Sequence, residues 1–167
     1  MICILTQNQI DNSIGSIIGG LFLAIIFFTL KEYIFRLPNL NGHWELNTTI
    51  NKTSYNTYKG LELKYHVVLF RLDNKIKGTG EKIEEIKIDK SVQKYVGDKR
   101  TTILIEGSLA RRYFSRSQIT MHIIEEGRSR ESSSIHELKL YKNPTLLSGT
   151  FFSTAADSSG TSSWRKA

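Results

Sequence analysis

An uncharged run near the N-terminus constrains this chain more than any other feature. Residues 13–30 read SIGSIIGGLFLAIIFFTL, eighteen residues without a charged side chain. A helix of that length rises about 27 Å, which is close to the thickness of the hydrocarbon core of a bilayer. The run therefore predicts a single membrane-spanning helix, at about residues 13–35 of an anchor formed by residues 1–37.

Charged residues are distributed very unevenly around this run. All 23 basic residues and 15 of the 16 acidic residues lie from Lys31 onward. Because cytoplasmic segments next to a span are rich in Lys and Arg, we expect the large C-terminal part in the cytoplasm. The alternatives are a buried helix and a cleaved signal peptide, and the latter is disfavoured because no basic segment precedes the run.

Two glycines lie one helical turn apart within the span. Gly15 and Gly19 form a G-x-x-x-G motif, and Ser16 and Gly20 form a second pair of small residues offset by one position. Small residues at this spacing allow two membrane helices to approach closely. The motif predicts self-association through Gly15 and Gly19.

After Pro38 the pattern changes to alternating apolar and polar residues rich in Thr, Ile, Val and Tyr, which is typical of half-buried strands. Turn-forming residues separate eight such stretches. The predicted strands are 42–51, 61–72, 75–88, 101–109, 118–125, 133–141, 146–153 and 161–166. Because an open sheet of this size leaves two long edges, residues 38–167 are predicted to be all-β, as an eight-stranded antiparallel up-and-down, lipocalin-like β-barrel that follows an N-terminal transmembrane α-helix.

The first predicted strand opens with a Gly-x-Trp motif, Gly42 to Trp44. An inward Trp44 would plug the floor of the barrel, and Trp164 in the last strand would lie beside it, because first and last strands meet on closure. Both tryptophans are therefore predicted to be structural. Gly78 and Gly80, inside the third strand, predict a bend or a close approach of backbones.

No catalytic group of residues is recognisable, and the protein is not predicted to be an enzyme. The single cysteine, Cys3, supports neither a disulfide framework nor a zinc site. The glutamates are expected on solvated faces, and no metal site is predicted. The four histidines are placed on the outer faces of different strands: His43, His66, His122 and His136.

Two basic clusters follow the fourth and fifth predicted strands, at residues 111–116 and 128–130. Arginine in such clusters binds phosphate at a barrel mouth, or else forms a solvated rim or contacts anionic lipid. The stretch 151–160 is rich in small and hydroxyl-bearing residues, which leaves room for a ligand but is equally typical of a loop.

The span, Gly-x-Trp, the tyrosines of 53–60, Gly78-x-Gly80-Glu81-Lys82 and the 151–160 run followed by Trp164 together resemble one family. It comprises the membrane effectors of cyclic-oligonucleotide antiphage signalling (CBASS), which act with CD-NTase enzymes and carry a strand-rich barrel on transmembrane helices. That family is usually described with two spans, whereas residues 1–12 are too short and too polar for another.

This resemblance implies an antiphage effector. A cytoplasmic barrel would bind a cyclic dinucleotide and, without a further cofactor, oligomerise and disrupt the bacterial inner membrane; the bilayer and a second copy of the chain are then partners, and DNA and RNA are not. A site for a ligand with two phosphates and two bases requires aromatic faces for stacking, cations for the phosphates and hydroxyls for hydrogen bonds. The candidate ligand-binding residues are Tyr55, Tyr58 and Tyr65 for stacking, Arg112 and Arg130 for phosphate, and Ser153, Thr154, Ser158 and Ser159 for hydrogen bonds.

Two other functions remain open from the sequence. A membrane-tethered lipocalin-like carrier of an apolar small molecule predicts a greasy lumen. A scaffolding protein whose barrel docks a partner predicts a filled core without a cavity.

Overall fold

The computed structural model describes residues 2–34, 37–112, 116–127, 131–140 and 145–167. It consists of two compact units, Met1–Leu37 and Pro38–Ala167.

The first unit is helical. Helix α1 covers Ile2–Thr29 and continues into a π-helical turn at Leu30–Ile34. Within it, Ser13–Tyr33 is long and apolar enough to cross a membrane, and none of its most apolar window is buried. An added Cβ at Gly15 or Gly19 would meet nothing within 4 Å, so both glycines lie open on the helix surface. Residue 35, the predicted end of the span, lies outside the described residues.

The second unit is built from nine strands, and the segments between them that are described form short turns and 3-10 helices. The strands are β1 Gly42–Lys52, β2 Glu62–Leu72, β3 Lys75–Ile86, β4 Val92–Lys94, β5 Thr102–Ala110, β6 Gln118–Glu126, β7 Glu131–Leu140, β8 Leu146–Ser153 and β9 Ser158–Lys166. Residue 141, which ends the predicted sixth strand, is not among the described residues.

Eight of these strands close into an antiparallel barrel in which each strand pairs with the neighbour before and after it. The barrel closes where β1 pairs with β9, with Trp44 opposite Lys166 and Leu46 opposite Trp164. This confirms the predicted eight-stranded up-and-down barrel. On closure, the backbone groups of the first and last strands form hydrogen bonds with each other, so neither strand is left as an open edge.

Strand β4 was not predicted. The segment expected to be a turn after β3 instead forms a short strand that pairs with the end of β3, Val92 opposite Ile86. Three residues without a buried side chain carry little strand signal in a sequence. Their pairing depends on the neighbouring strand.

The inward faces of the first strands are as the alternation predicts. In β1, Trp44, Leu46, Thr48 and Ile50 are buried, and the intervening residues are mostly exposed. In β2, the inward residues include Tyr65, Val67 and Leu69. Since side chains alternate between the two faces of a strand, one correctly placed tryptophan orients the whole strand.

One end of the barrel is packed solid, at the end where residues 38–41 lead into β1. Trp44 is 1 % exposed and its indole nitrogen donates to the carbonyl oxygen of Leu40 at 2.8 Å. The Lys166 ammonium lies 6.0 Å from the centre of the Trp44 ring. Fully buried side chains fill this end: Leu40, Leu69, Ile76, Leu109, Ile119, Met121, Leu138, Leu147 and Trp164.

The glycines of β3 lie where neighbouring strands approach closely. A Cβ on Gly78 would lie 2.6 Å from the carbonyl oxygen of Val68 and 2.7 Å from a methyl carbon of Leu69. A Cβ on Gly80 would lie 2.5 Å from the carbonyl oxygen of His66. The close approach predicted from the two glycines is therefore present.

Candidate functional site

A cavity of about 380 Å³ occupies the other end of the barrel. It is lined by the ends of β1, β3, β6 and β8 and by the beginnings of β2, β7 and β9, together with the rim residues Tyr58, Gly127, Ala155 and Ala156. Because the opposite end is filled by buried side chains, the cavity is blind. Its volume lies in the range of small-molecule sites, about 300–1,000 Å³.

One wall of the cavity is ionic. The Lys82 ammonium lies 3.2 Å from Oε1 of Glu125 and 3.8 Å from Oε2 of Glu85. The hydroxyl of Tyr65 donates to Oε2 of Glu125 at 3.0 Å. The three charged side chains are only 14–21 % exposed, so their mutual attraction is screened less than that of a surface pair.

A β-bulge places Lys82 and Glu85 on the same face. Lys82 pairs with Tyr65 and Glu85 pairs with Leu63, so two residues of β3 stand opposite the single residue Lys64 of β2. Without the extra residue, Glu85 would follow the alternation to the outer face. The bulge therefore creates the ionic wall.

The residue that follows β4, Tyr95, brings a second phenol to Glu85. The hydroxyl of Tyr95 donates to Oε2 of Glu85 at 3.0 Å, and the Lys82 ammonium lies 5.7 Å from the centre of the Tyr95 ring. Burial, with the charge of Glu85, raises the pKa of Tyr95 to about 12. Burial, with the charge of Glu125, raises the pKa of Tyr65 well above its ordinary value. Both phenols are therefore protonated donors to the carboxylates at neutral pH.

The opposite wall is neutral and centres on His136, which is 2 % exposed. Its Nδ1 lies 2.8 Å from Oγ of Ser162, and its Nε2 lies 3.1 Å from Oγ of Ser134. The Trp164 indole donates to Oγ of Ser162 at 3.0 Å. Either neutral tautomer fits these contacts: with the hydrogen on Nε2, Ser162 donates to Nδ1 and Ser134 accepts, whereas with the hydrogen on Nδ1, Ser134 donates to Nε2 and Ser162 accepts.

The His136 ring is also held by aromatic contacts. It stacks on Phe151 with ring centres 5.4 Å apart and meets Trp164 edge-on at 6.1 Å. Burial lowers the pKa of His136 to about 3, so the imidazole is neutral at physiological pH. The prediction that His136 lies on the outer face is wrong: the inward residues of β7 include Ser134, His136 and Leu138, while Ile135 is 48 % exposed.

Thr48 lies on the same neutral wall, paired with Ser162 of β9. Its side chain is 4 % exposed and lines the cavity. Its hydroxyl oxygen has no hydrogen-bond partner among the described residues. A buried polar atom without a hydrogen-bond partner lowers the stability of the fold by about 1–3 kcal/mol. The Thr48 hydroxyl can therefore form a hydrogen bond that the described residues do not supply.

Two loops at the rim of the cavity are joined by hydrogen bonds. The carbonyl oxygen of Ala156 accepts from the backbone nitrogen of Ser54 at 2.9 Å and from the hydroxyl of Thr53 at 3.1 Å. Ala156 and Asp157 have φ of 55° and 46°, a conformation that non-glycine residues seldom adopt. These bonds hold the strained turn over the cavity.

The structure brings four of the predicted ligand-binding residues to the cavity: Tyr58, Tyr65, Ser153 and Ser158. The two serines support the rim. Ser153 donates to the carbonyl of Ser133 at 3.2 Å, and Ser158 donates to the carbonyl of Ala155 at 2.7 Å. Tyr58 is 43 % exposed and presents an aromatic surface at the mouth.

Three other predicted residues do not line the cavity. Tyr55 is 63 % exposed and contacts Tyr58 edge-on, with ring centres 6.2 Å apart. Thr154 is exposed and its hydroxyl donates to the carbonyl of Ser133. Ser159 pairs with Phe152 on the outer surface, because it alternates with the inward Ser158.

Arg112 lies at the packed end of the barrel, so the expectation that it clamps phosphate at the mouth is corrected. It follows β5, in which Ala110 pairs with Gln118, and the pairing of Lys75 with Ser108 places this end of β5 beside the β2–β3 turn. Its guanidinium donates to Oε1 of Gln118 at 3.0 Å. The other predicted phosphate ligand, Arg130, lies outside the described residues.

The charge of the cavity also differs from that expected of a site in which arginines bind phosphate. Among the described lining residues the charged ones are Lys82, Glu85 and Glu125, which leave one net negative charge. The glutamates were expected on solvated faces because adjacent acidic residues usually lie in water, and this is wrong for Glu85 and Glu125. The one available signal was a break in the alternation of β3 after Lys82, which a bulge explains.

The described part of the chain holds no cluster of His, Cys, Asp and Glu side chains that suits a metal ion. Comparison of the chain with protein family models, with curated proteins and with solved structures gives no match.

Proposed function

We propose that this protein is a membrane-anchored receptor whose barrel binds a cyclic dinucleotide in the blind cavity and acts as an antiphage effector. The observation that carries the proposal is the cavity itself: about 380 Å³, open at one end, with tyrosine, hydroxyl and charged groups on its walls. A nucleotide offers bases for stacking and polar edges for hydrogen bonds, which matches a lining of this mixed kind.

The N-terminal unit supports the membrane part of the proposal. Ser13–Tyr33 has the length and composition of a span, and the basic residues begin at Lys31. The positive-inside tendency favours a barrel in the cytoplasm of a bacterial cell, with one span in the inner membrane. Ligand binding would then drive self-association, through Gly15 and Gly19 among other contacts, and so disrupt the membrane and stop the infected cell.

The alternative, a carrier of an apolar small molecule, is favoured by one observation. An apolar belt lines part of the cavity, formed by Leu46, Ile50, Leu61, Leu63, Ile123 and Phe151. An apolar ligand would, however, leave the ionic wall of Lys82, Glu85 and Glu125 facing hydrocarbon, which is costly. The mixed lining therefore supports a polar ligand better.

The test is a thermal-shift titration of the full chain in lipid nanodiscs against cyclic dinucleotides, a linear dinucleotide and palmitate. A micromolar ligand at hundredfold excess stabilises a protein by about 2.7 kcal/mol, which is readily measured. Stabilisation by a cyclic dinucleotide alone is expected. A shift with palmitate and none with any cyclic dinucleotide overturns the proposal in favour of the carrier, and no shift with either overturns both.

Two neighbouring tyrosines provide a matched pair of variants. Stacking on one base is worth about 1–3 kcal/mol, so Tyr58→Ala at the mouth should weaken binding about tenfold or more. Tyr55→Ala removes a ring that does not line the cavity and should change affinity less than about threefold. A cyclic dinucleotide should also release dye from vesicles that contain the protein. Binding without dye release would contradict the effector role and leave the receptor role standing.

A further inference from the structure

The charge of the cavity limits which part of a ligand can enter it. Glu85 and Glu125 are mostly buried and share the single ammonium of Lys82. A phosphate group placed beside them would add negative charge where the balance is already negative, and like charges at short range in a partly buried site repel strongly. The phosphates of a cyclic dinucleotide therefore belong at the water-filled mouth, and an uncharged part of the ligand belongs inside.

The ionic wall needs hydrogen-bond donors. A carboxylate pair can accept about eight hydrogen bonds, four for each group. The bonds described here come from Tyr65, Tyr95 and Lys82, and none of them uses Oε1 of Glu85. Two neighbouring N–H donors suit this carboxylate pair, because Oε1 of Glu85 and the remaining lone pairs of the Glu125 oxygens can each accept one. The Watson–Crick edge of guanine carries such a pair, the N1 hydrogen and the 2-amino group.

The opposite wall supplies a second and independent indication of a ligand. The Thr48 hydroxyl is nine-tenths buried or more, lines the cavity and has no partner among the described residues. On the same wall, Oγ of Ser134 lines the cavity and lies 3.1 Å from Nε2 of His136; with the imidazole hydrogen on Nε2, this hydroxyl keeps its own hydrogen to donate. These hydroxyls suit ligand acceptors, and guanine carries O6 and N7 on the side away from its 2-amino group.

From these groups we infer that the cavity is a guanine pocket: Glu85 and Glu125 accept from the N1 hydrogen and the 2-amino group, Thr48 and Ser134 face the acceptor side, and the phosphates stay at the mouth. This inference rests on the proposed function, because it names the base of the cyclic dinucleotide that enters the lumen.

The sharpest test compares two ligands that differ only at the contact in question. Cyclic di-IMP lacks the 2-amino groups of cyclic di-GMP and is otherwise identical. Titration calorimetry on the full chain in nanodiscs should show cyclic di-GMP binding about 10- to 100-fold more tightly, the value of a hydrogen bond to a charged group. Cyclic di-UMP, with one N–H donor between two acceptors in each base, should bind more weakly still.

Variants locate the discrimination. Glu85→Gln and Glu125→Gln should each reduce the preference for cyclic di-GMP over cyclic di-IMP to less than about threefold. The two carboxylates belong to one hydrogen-bond network, so the loss of either one removes most of the effect. The control is Glu106→Gln, which changes a carboxylate that is 73 % exposed on the outer face and should keep the full preference. The ligand comparison on the unaltered chain needs no variant to fold.

The outcomes separate this inference from the proposed function. Equal affinity for cyclic di-GMP and cyclic di-IMP, or a preference that both glutamate variants retain, overturns the guanine pocket and leaves the receptor role intact. Guanosine and inosine are a second pair of probes, followed by saturation-transfer NMR at millimolar concentration. Guanosine binding without any cyclic dinucleotide binding overturns the receptor role and retains the pocket, and binding of neither overturns both.

Discussion

The ammonium nitrogen of Lys82 lies 3.2 Å from Oε1 of Glu125, although β5 separates their two strands in the sheet. The contact exists because the barrel is closed and both side chains point into its lumen. It holds together the ionic wall on which the proposed ligand specificity depends.

Removal of the Lys82 charge should destabilise the barrel. Lys82→Met leaves Glu85 and Glu125 facing each other without a cation, and we expect a loss of about 1–3 kcal/mol, below the value for a fully buried pair. Lys77→Met is the control, since Lys77 and its partner Glu106 are both 73 % exposed, and it should cost less than about 1 kcal/mol. Urea unfolding of the two variants measures the difference. Equal losses would contradict the proposal that the Lys82 charge stabilises the barrel through Glu85 and Glu125.

The buried imidazole of His136 should make stability fall in acid. Its pKa is about 3 in the fold and about 6.5 in the unfolded chain, so between these values the unfolded chain binds the extra proton. Stability therefore rises with pH across this window and is lost as pH falls from 6.5 toward 3, by at most about 1.4 kcal/mol per pH unit from this group.

His136→Gln tests this pH dependence. The glutamine amide can bond Ser134 and Ser162 but does not titrate. The unfolding free energy of the variant should therefore rise less steeply with pH between 4 and 6.5, by the equivalent of up to about one bound proton. His122→Gln is the control, because His122 is exposed on the outer face. If His136→Gln kept the slope of the unaltered chain, another group would be responsible.

Gly78 should tolerate no larger side chain. An alanine methyl would lie 2.6 Å from the carbonyl oxygen of Val68, so a strand must shift, and Gly78→Ala should cost about 1–3 kcal/mol in urea unfolding. Thr79→Val, at the neighbouring exposed position, keeps a β-branched side chain and should stay within about 0.5 kcal/mol. An unchanged unfolding free energy for Gly78→Ala would contradict a close approach of β2 and β3 at this position.

The small residues of α1 should matter for self-association in the membrane. Gly15→Ile and Gly19→Ile place branched side chains on the face predicted to pack, and should lower energy transfer between labelled chains in vesicles. Ala24→Ile is the matched control, because at about 100° per residue Ala24 lies on the opposite face from Gly15. The same loss in all three variants would exclude a specific glycine contact.

Much of the barrel could be predicted from local pattern. The eight strands of the barrel, the inward face of β1 and the buried positions of Trp44 and Trp164 follow from side-chain alternation and from two tryptophans near the chain ends of the sheet. Alternation is a property of a few successive residues, so it can be read without knowledge of the partner strand.

The candidate site was predicted less well, because its residues depend on register. Glu85 enters the lumen only after the bulge, and His136 points inward although the more apolar Ile135 is its neighbour. Tyr95 reaches Glu85 only because β4 pairs with β3. Each position is set by pairing with another strand, which the local sequence does not display.

The apolar helix long enough for a bilayer and the succession of alternating strands can both be predicted from the spacing of apolar residues along the chain. Which end of the barrel is filled, and the meeting of Lys82, Glu85 and Glu125 at the open end while Arg112 lies at the filled end, are known only from the fold. Those contacts join residues far apart in sequence, so they depend on barrel closure and bulge register.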